Sequence, residues 1–314
     1  MHVSLSVIIS AFNEERYLAE CIKSLKLGEH PDWEAVVIND ASTDNTAKVM
    51  DIFAAKLPNL RCYPMDYNIG QGSARNLAIM LAKGRHITFV DADDYVDAEQ
   101  LASSLGKAEN SGVDILVSGH ARLYDTGLSP VPIPDGEYSG PAAACVFLKR
   151  EFGSWGSCFK IYRREHLIRQ ACFFVARFYY EDVVFGLQAF FSAEKAAAET
   201  EAYYVYRCNN ISTTRKSFVT PLHLLSSAKL YFDIVQFMKA RPPLPVFGSA
   251  LDAACEILLA DHLPRMLPAI QRGMHRTSPD FYHMFLHYMS CHESPFSLAV
   301  LHFAREQAAG RVMR

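Results

Sequence analysis

The sequence lacks several features that would place it at once in a common class of protein. It contains no apolar run of about 18 residues, so no membrane-spanning helix is predicted. Its first residues show neither the basic start nor the small-residue cleavage site of a secretory signal peptide. Neither GxGxxG nor GxxxxGKS/T occurs, which argues against the dinucleotide-binding and P-loop classes. We therefore expect a cytoplasmic protein outside these classes.

Charge and cysteine content argue against two further kinds of protein. The formal net charge of −3 gives no electrostatic reason to expect a nucleic-acid partner. The eight cysteines form no CxxC pair and mostly lie in apolar segments, which predicts reduced, buried thiols instead of disulfides or a zinc site. Half of the 314 residues are hydrophobic, as in a folded globular protein with a sizeable core.

The first third of the chain alternates between strand-like and helix-like segments. Residues 5–12, 33–39 and 86–90 are apolar runs rich in β-branched residues, which predicts strands buried on both faces. Residues 14–27 and 47–57 repeat apolar side chains at helical spacing. Repeated βαβ units predict an α/β fold with a mostly parallel sheet. Further predicted elements are strands over 61–65 and 114–118 and helices over 73–83 and 98–109.

The pattern changes twice along the rest of the chain. Residues 126–141 contain seven Gly and Pro residues, which predicts a loop or a lid. After residue 217 the strand pattern ends, so we predict an α/β domain over 1–217 and a helical C-terminal region over 218–314. Between the Gly- and Pro-rich segment and residue 217, the sequence predicts helices over 142–151 and 181–192 and strands over 157–162 and 202–206.

The clearest candidate site is an acidic cluster directly after the strand predicted over 86–90. Ligands of an open parallel sheet bind beyond the carboxyl ends of its strands. Asp91, Asp93 and Asp94 place three carboxylates in four residues, which repel one another unless a cation lies among them. Mg²⁺ and Mn²⁺ commonly join such carboxylates to phosphate oxygens. The alternative is a solvated turn in which Asp94 caps the next helix.

Other candidate residues allow a structural and a functional interpretation. Asp40 follows the second predicted strand and could be a turn former. Arg75 could be an ordinary surface arginine, or it could contact a nucleotide, because helix starts at strand ends face the ligand crevice. Glu181 and Asp182 could simply stabilise the start of a helix through their interaction with its dipole. Alternatively, one of them could be a general base among aromatic residues.

Six short motifs follow one another along the chain: SVIISAFNE (6–14), VINDASTDNT (37–46), NIGQGSARN (68–76), FVDADD (89–94), WGSCFKIYR (155–163) and YED (180–182). Together they resemble the family 2 glycosyltransferases, inverting enzymes with a GT-A fold. Their order and spacing agree over roughly residues 4–216. The chain departs from the family at two places. It has Ala41 where the family often has Gly, and it has Ser157 and Cys158 where the family more usually has Asn and Lys.

The resemblance implies a role for each candidate residue. Asp40 would accept a hydrogen bond from the base of the donor nucleotide, usually uracil, and Asp91 would contact the ribose. Asp93 and Asp94 would hold Mn²⁺ or Mg²⁺, and Asp182 would be the general base. The remaining donor-side residues would be Phe12, Asn13, Glu14, Arg75 and Ala92, and the acceptor or phosphate side would include Trp155, Lys160, Glu181 and Arg207.

By this resemblance, residues 1–217 would form a GT-A nucleotide-sugar-binding fold and catalyse a metal-dependent, inverting sugar transfer. The sugar, a hexose or N-acetylhexosamine, would pass from a nucleotide-sugar donor, a UDP-sugar, to a saccharide or lipid-linked saccharide in polysaccharide or glycolipid biosynthesis. One alternative is a nucleotidyltransferase, which should carry a glycine- and arginine-rich loop where this chain has residues 13–15. Another is a non-catalytic GT-A-like binding or scaffold protein, which would be expected to have lost the metal acids or Asp182.

The C-terminal region suggests a second kind of partner. Residues 296–314 combine large apolar side chains with arginines, which is compatible with peripheral contact at the inner face of the cell membrane. Packing on the catalytic domain is the alternative. The sequence contains no signal for an oligomeric state.

Overall fold

The computed structural model describes residues 2–208 and, beyond them, positions 226, 229–230, 233–234, 236–237, 240 and 250. Its strands are β1 (Leu5–Ala11), β2 (Trp33–Asn39), β3 (Leu60–Pro64), β4 (His86–Phe89), β5 (Tyr95–Val96), β6 (Ile115–Tyr124), β7 (Gly127–Val131), β8 (Gly136–Ser139), β9 (Lys160–Arg163) and β10 (Lys195–Arg207). Its helices are α1 (Leu18–Ser24), α2 (Thr46–Ala54), α3 (Gln71–Leu81), α4 (Ala98–Ser111), α5 (Gly140–Leu148), α6 (Arg164–Arg169) and α7 (Glu181–Ser192).

The N-terminal half of the sheet is parallel. β1 pairs with β2 and with β4, and β2 pairs with β3, all in parallel. Every residue of β2 is buried, as is every residue of β1 except the half-buried Ser10. Apolar runs of this kind suit strands that are covered on both faces. The predicted α/β fold class is confirmed.

The second half of the sheet is mixed, which the sequence did not predict. The strand order is β3-β2-β1-β4-β9-β6-β10-β5. β9 lies between β4 and β6 and is antiparallel to both, whereas β6 and β10 are parallel. The short β9 therefore joins the two parallel parts of the sheet.

The expected loop or lid over residues 126–141 is wrong. β7 pairs with β6, and β8 pairs with β10, so most of this segment extends the sheet. Pro130 lies in β7, which pairs only with β6 in the described part of the chain. A proline is tolerated at such an edge because its missing N–H faces no further strand.

Residues 2–177 and 181–208 belong to one compact unit, and residues 178–180 belong to a second unit together with the described positions from 226 to 250. The predicted boundary at residue 217 lies outside the described residues and stays a prediction. Positions 226, 229–230, 233–234, 236–237 and 250 are helical. Within the described part of the chain, none of the helices combines the length and the apolar character needed to cross a bilayer.

A buried carboxylate ties the start of the parallel sheet together. Glu34 accepts hydrogen bonds from Ser6 Oγ at 2.7 Å, Lys83 N at 2.6 Å and Arg61 Nη1 at 2.9 Å. Burial by itself would raise the pKa of Glu34, but these hydrogen bonds outweigh it and hold the pKa below its ordinary value. Glu34 therefore stabilises the fold as a carboxylate.

Replacing Glu34 by Gln should lower the free energy of unfolding by about 1–3 kcal/mol near neutral pH, because the amide NH₂ would face hydrogen-bond donors. A depressed folded-state pKa means that the contribution is present above the unfolded pKa and is lost as the pH falls through the folded pKa. The difference between the two proteins should therefore shrink as the pH falls below 4.5. Urea titrations across this range measure it. The exposed Glu29→Gln is the control, and a gap that is constant with pH would contradict the assignment.

Candidate active site

The carboxyl ends of β1, β2 and β4 meet at one edge of the sheet because the three strands are parallel. The loops after β1 and β2 are hydrogen-bonded to each other: Asn13 N donates to Ser42 Oγ at 3.0 Å, and Thr43 N donates to Asn13 Oδ1 at 2.8 Å. Phe12 lies at the same edge with 47% of its surface exposed. An exposed aromatic side chain beside this crevice is suited to contact a ligand.

The loop after β2 contains an alanine in an unusual backbone conformation. Ala41 has φ +61°, in the left-handed region that favours glycine. This conformation explains why the resembled family often has glycine at the position. Asn13 adopts φ +59°, which asparagine tolerates better than most residues.

Asp40 is buried and binds backbone groups. Its Oδ1 accepts from Ile69 N at 2.6 Å, and its Oδ2 accepts from Gly70 N at 2.9 Å. The side-chain amide of Asn68 donates to the Asp40 carbonyl at 3.2 Å. Asp40 thus fastens the loop before α3 to the end of β2. Its predicted hydrogen bond to a nucleobase stays a prediction.

Arg75, the fifth residue of α3, is buried and joins acidic residues that are far apart in sequence. Its Nη2 lies 2.8 Å from Asp91 Oδ1, and its Nη1 lies 3.0 Å from Asp182 Oδ1 and 3.3 Å from Glu181 Oε1. The guanidinium also lies 5.2 Å from the centre of the Phe174 ring. Sequence reasoning missed this bridge, although an arginine within an apolar helix is a signal that it needs buried partners. Its contact with a nucleotide stays a prediction.

Asp182 and Glu181 start α7 in different environments. Asp182 Oδ1 also accepts from Ser157 N at 3.2 Å, and its side chain keeps 24% of its surface exposed. The Glu181 side chain keeps 9%, and burial together with the neighbouring Asp182 raises the pKa of Glu181. Asp182 is the better placed of the two to meet a ligand from solvent.

Trp155 and Lys160 hold the segment that contains Ser157. Trp155 Nε1 donates to Phe147 O at 3.0 Å. Lys160 is fully buried, and its Nζ donates to Gly156 O at 2.5 Å. Burial lowers the pKa of Lys160 to about 7. Both side chains are thus engaged with the backbone of the protein, and their predicted contact with an acceptor or a phosphate stays a prediction.

The three aspartates after β4 differ in their surroundings. Asp94 is buried, with Oδ2 accepting from Tyr204 Oη at 2.5 Å and Oδ1 from Arg207 N at 2.7 Å. Burial and the charges of Asp91 and Asp93 raise the pKa of Asp94. Both Asp94 oxygens are thus engaged by β10, whereas Asp91 and Asp93 are only half-buried.

The structural alternative for Asp94 as a helix cap is wrong. Asp97 is the N-cap of α4, and its side chain accepts from Glu99 N and Gln100 N. Asp94 instead belongs to a turn that Arg207 holds in place. Arg207 Nε donates to Asp93 O at 2.9 Å, and its Nη2 lies 2.8 Å from Glu20 Oε2.

The residues at this edge fit a divalent cation that has further ligands from a bound molecule. Burial raises the pKa of Glu14 to about 7, and the charges of Asp93, Asp91 and Asp44 contribute to the shift. Oxygen ligands of this kind suit Mg²⁺ and Mn²⁺. Among the described residues, no group of three or more His, Cys, Asp or Glu side chains forms a complete metal site. A metal here would take its remaining ligands from phosphate oxygens or water.

Known proteins resemble this chain in both sequence and fold. The poly(ribitol-phosphate) β-N-acetylglucosaminyltransferase TarS of Staphylococcus aureus is 28% identical over 208 residues, which cover 65% of this chain and 35% of TarS. The uncharacterized glycosyltransferase EpsJ of Bacillus subtilis is 31% identical over 222 residues, which cover 67% of this chain and 62% of EpsJ. The chain thus matches only about a third of the length of TarS.

Two solved structures share the fold. S. aureus TarS 1-349 in complex with UDP-GlcNAc has a TM-score of 0.65 at 21% identity, covering 97% of this chain and 88% of that one. The mannosyltransferase PcManGT from Pyrobaculum calidifontis, in complex with GDP-Man and Mn²⁺, has a TM-score of 0.59 at 15% identity, covering 99% and 87%. At these identities the likeness shows a common fold.

The family itself follows from the sequence match. Residues 6–171, more than half of the chain, match the model of "Glycosyl transferase family 2". The matched range contains β2, β4 and all of β1 except Leu5, with the loops that form the acidic edge, and it extends through Trp155 and Lys160. The chain belongs to glycosyltransferase family 2.

Proposed function

We propose that this protein transfers a sugar from a UDP-sugar to a hydroxyl group of a saccharide or lipid-linked saccharide, with inversion at the anomeric carbon. The observation that carries the proposal is the bridge made by Arg75. One buried guanidinium contacts Asp91, at the edge where a donor nucleotide would bind, and Asp182, the candidate base. Donor and acceptor chemistry can therefore meet at one place.

In the reaction, Asp182 would remove the proton of the acceptor hydroxyl. The oxygen would then attack the anomeric carbon opposite the leaving group, and the bond from that carbon to the nucleotide diphosphate would break. Arg75 and the Ser157 N–H, both bound to Asp182 Oδ1, would hold the carboxylate in place, which leaves Oδ2 for the hydroxyl. General-base catalysis of this kind contributes about 10²–10⁴-fold in rate.

The donor class is supported by the relatives. TarS is named as an N-acetylglucosaminyltransferase acting on poly(ribitol-phosphate), and its structure contains UDP-GlcNAc. We infer a hexose or N-acetylhexosamine donor for this chain, used at the cytoplasmic side of polysaccharide or glycolipid synthesis. Family membership removes the basis for a nucleotidyltransferase. Turnover of a panel of UDP-sugars, with Mn²⁺ and with saccharide acceptors, tests the proposal, and binding without turnover would favour the scaffold alternative.

The nucleotide should contain uracil. Each oxygen of a carboxylate can accept more than one hydrogen bond, so Asp40 could hold its loop and also accept from the ring N–H of uracil. Cytosine lacks that N–H. In thermal shift assays with Mn²⁺ we expect UDP and dTDP to stabilise the protein more than CDP at the same concentration. Stabilisation by GDP alone would contradict the assignment.

Asp93 is the proposed ligand of Mn²⁺ or Mg²⁺, and Asp94, whose two oxygens accept hydrogen bonds from β10, would assist it from the same turn. When bound, the metal would neutralise charge that develops on the departing diphosphate. We expect Mn²⁺ to strengthen UDP binding to the wild type at least about tenfold, as one charge-assisted contact allows. Asp93→Asn should lose this enhancement while retaining metal-free UDP binding. Calorimetry measures both, and an equal Mn²⁺ effect in the two proteins would contradict the role.

A further inference from the structure

A cavity lies at the edge of the sheet opposite to the acidic edge. Its volume is about 410 Å³. It is lined by residues 2–3, which precede β1, by residues 83–85, which precede β4, and by residues 163–165, where β9 meets α6. We call it the basic cavity, because Lys83, Arg85, Arg163 and Arg164 line it, with Glu165 as the one acidic side chain among the described lining residues. The proposed sugar transfer does not use it.

Two of the four cations already have carboxylate neighbours. Arg163 Nε lies 3.4 Å from Asp114 Oδ1, and Arg85 Nη1 lies 4.0 Å from Glu109 Oε1. Within the described part of the chain, Lys83 and Arg164 form no ion pair. The positive charge of the basic cavity is therefore incompletely balanced.

Arg164 provides an independent observation. Its Nε is buried and has no hydrogen-bond partner among the described residues. A buried cationic N–H without an acceptor is unfavourable, so the charge of the Arg164 guanidinium is not compensated by the described residues.

A buried histidine lies beside the basic cavity. His86 is buried at the start of β4, and burial together with Arg85 and Arg163 lowers its pKa to about 4. His86 is thus neutral near physiological pH and adds no charge of its own.

The basic cavity is separate from the proposed donor site. Arg85, at the cavity, directly precedes β4, and Asp91, at the acidic edge, lies two residues after its end. Six residue steps at the rise of an extended strand correspond to about 20 Å. A small ligand in one site therefore cannot reach the other.

We propose that the basic cavity binds a phosphate group. The guanidinium group of arginine can donate two parallel hydrogen bonds to the oxygens of a phosphate, and the ammonium group of lysine adds a compact positive charge. Lys83 and Arg164, the two cations without an ion pair, would make the main contacts. The phosphate group can belong to a phospholipid head group or to a soluble phosphate compound, and the experiment below separates the two.

The test compares the wild type with a Lys83→Gln/Arg164→Gln variant. Lys83 holds Glu34 through its backbone N–H, which this substitution leaves in place. Calorimetry with inorganic phosphate, in the presence of a chelator, should show binding to the wild type and at least about tenfold weaker binding to the variant. Sedimentation with phosphatidylglycerol and with phosphatidylcholine vesicles forms the second arm. Phosphate binding with pelleting only by anionic vesicles supports a head group, and phosphate binding without pelleting supports a soluble compound.

The matched control is Lys23→Gln/Lys56→Gln, which removes two exposed cations from the region of α1 and α2. It should bind phosphate like the wild type. Equal losses in the two variants, or no binding of either probe to the wild type, would overturn the proposal. The single variant Lys83→Gln, at an exposed side chain, gives a partial loss without risk to the fold and should rank between the wild type and the double variant.

Discussion

Asp182→Asn should reduce turnover about 10²–10⁴-fold, the usual contribution of a general base. The substitution keeps an oxygen that can accept from Arg75 and Ser157 N, so the local geometry should persist. It removes the basic oxygen that would take the proton from the acceptor hydroxyl. Affinity for the UDP-sugar should stay near that of the wild type, because Asp182 is not proposed to contact the donor nucleotide. Steady-state kinetics with acceptor, and calorimetry with UDP, measure the two quantities.

Glu181→Gln is the matched control for this experiment. It neutralises the adjacent carboxylate, which is more buried and binds the same guanidinium at 3.3 Å. We expect a much smaller decrease in turnover, since Glu181 has less access to a ligand from solvent. Near-normal turnover in Asp182→Asn, or a matching loss of UDP binding, would mean that the base is another residue.

Arg75→Met should reduce both stability and turnover. Removing the buried partner leaves the carboxylates of Asp91, Glu181 and Asp182 close together without their shared cation. Breaking a buried ion pair from one side costs about 3–5 kcal/mol. At roughly 2–4 °C per kcal/mol for a domain of this size, Tm should fall by roughly 6–20 °C. Turnover should fall as well, because Asp182 would lose a group that positions it.

Arg169→Gln is the control for the loss of an arginine as such. Arg169 pairs with Glu194 at 3.9 Å, and both side chains are more than half exposed, so little change in Tm is expected. Arg75→Lys should lie between the two, because a single ammonium group cannot bridge three carboxylates as a guanidinium does. A change in Tm for Arg75→Met as small as that of the control would contradict the central role of this ion pair.

Several parts of the fold could be predicted from the sequence because local pattern specifies them. The apolar runs of β1, β2 and β4 specify strands that are buried on both faces. The segments between them repeat apolar residues at helical spacing, which indicates helices that connect parallel strands. Parallel strands bring their carboxyl ends to one edge, so the gathering of the motifs at 12–15, 40–46 and 91–94 follows directly.

The segment 126–141 shows where local pattern was misleading. Its glycines and prolines indicate a loop, yet pairing with β6 and β10 makes strands of most of it. The hydrogen bonds of those partners outweigh a weak local preference, and edge positions tolerate proline. The insertion of the short β9 between β4 and β6 is likewise a matter of long-range pairing.

By itself, the sequence determined the α/β class, the family and the edge of the sheet at which the candidate residues gather. Only the tertiary structure decided which partner each side chain has. Arg75 is hydrogen-bonded to Asp182, 107 residues away in sequence, and Asp94 is hydrogen-bonded to Tyr204, 110 residues away. It also brought Lys83 and Arg164 to one cavity. The reason is that periodicity records which face of an element is buried, whereas a charged group acquires its partners only when distant segments pack together and exclude water.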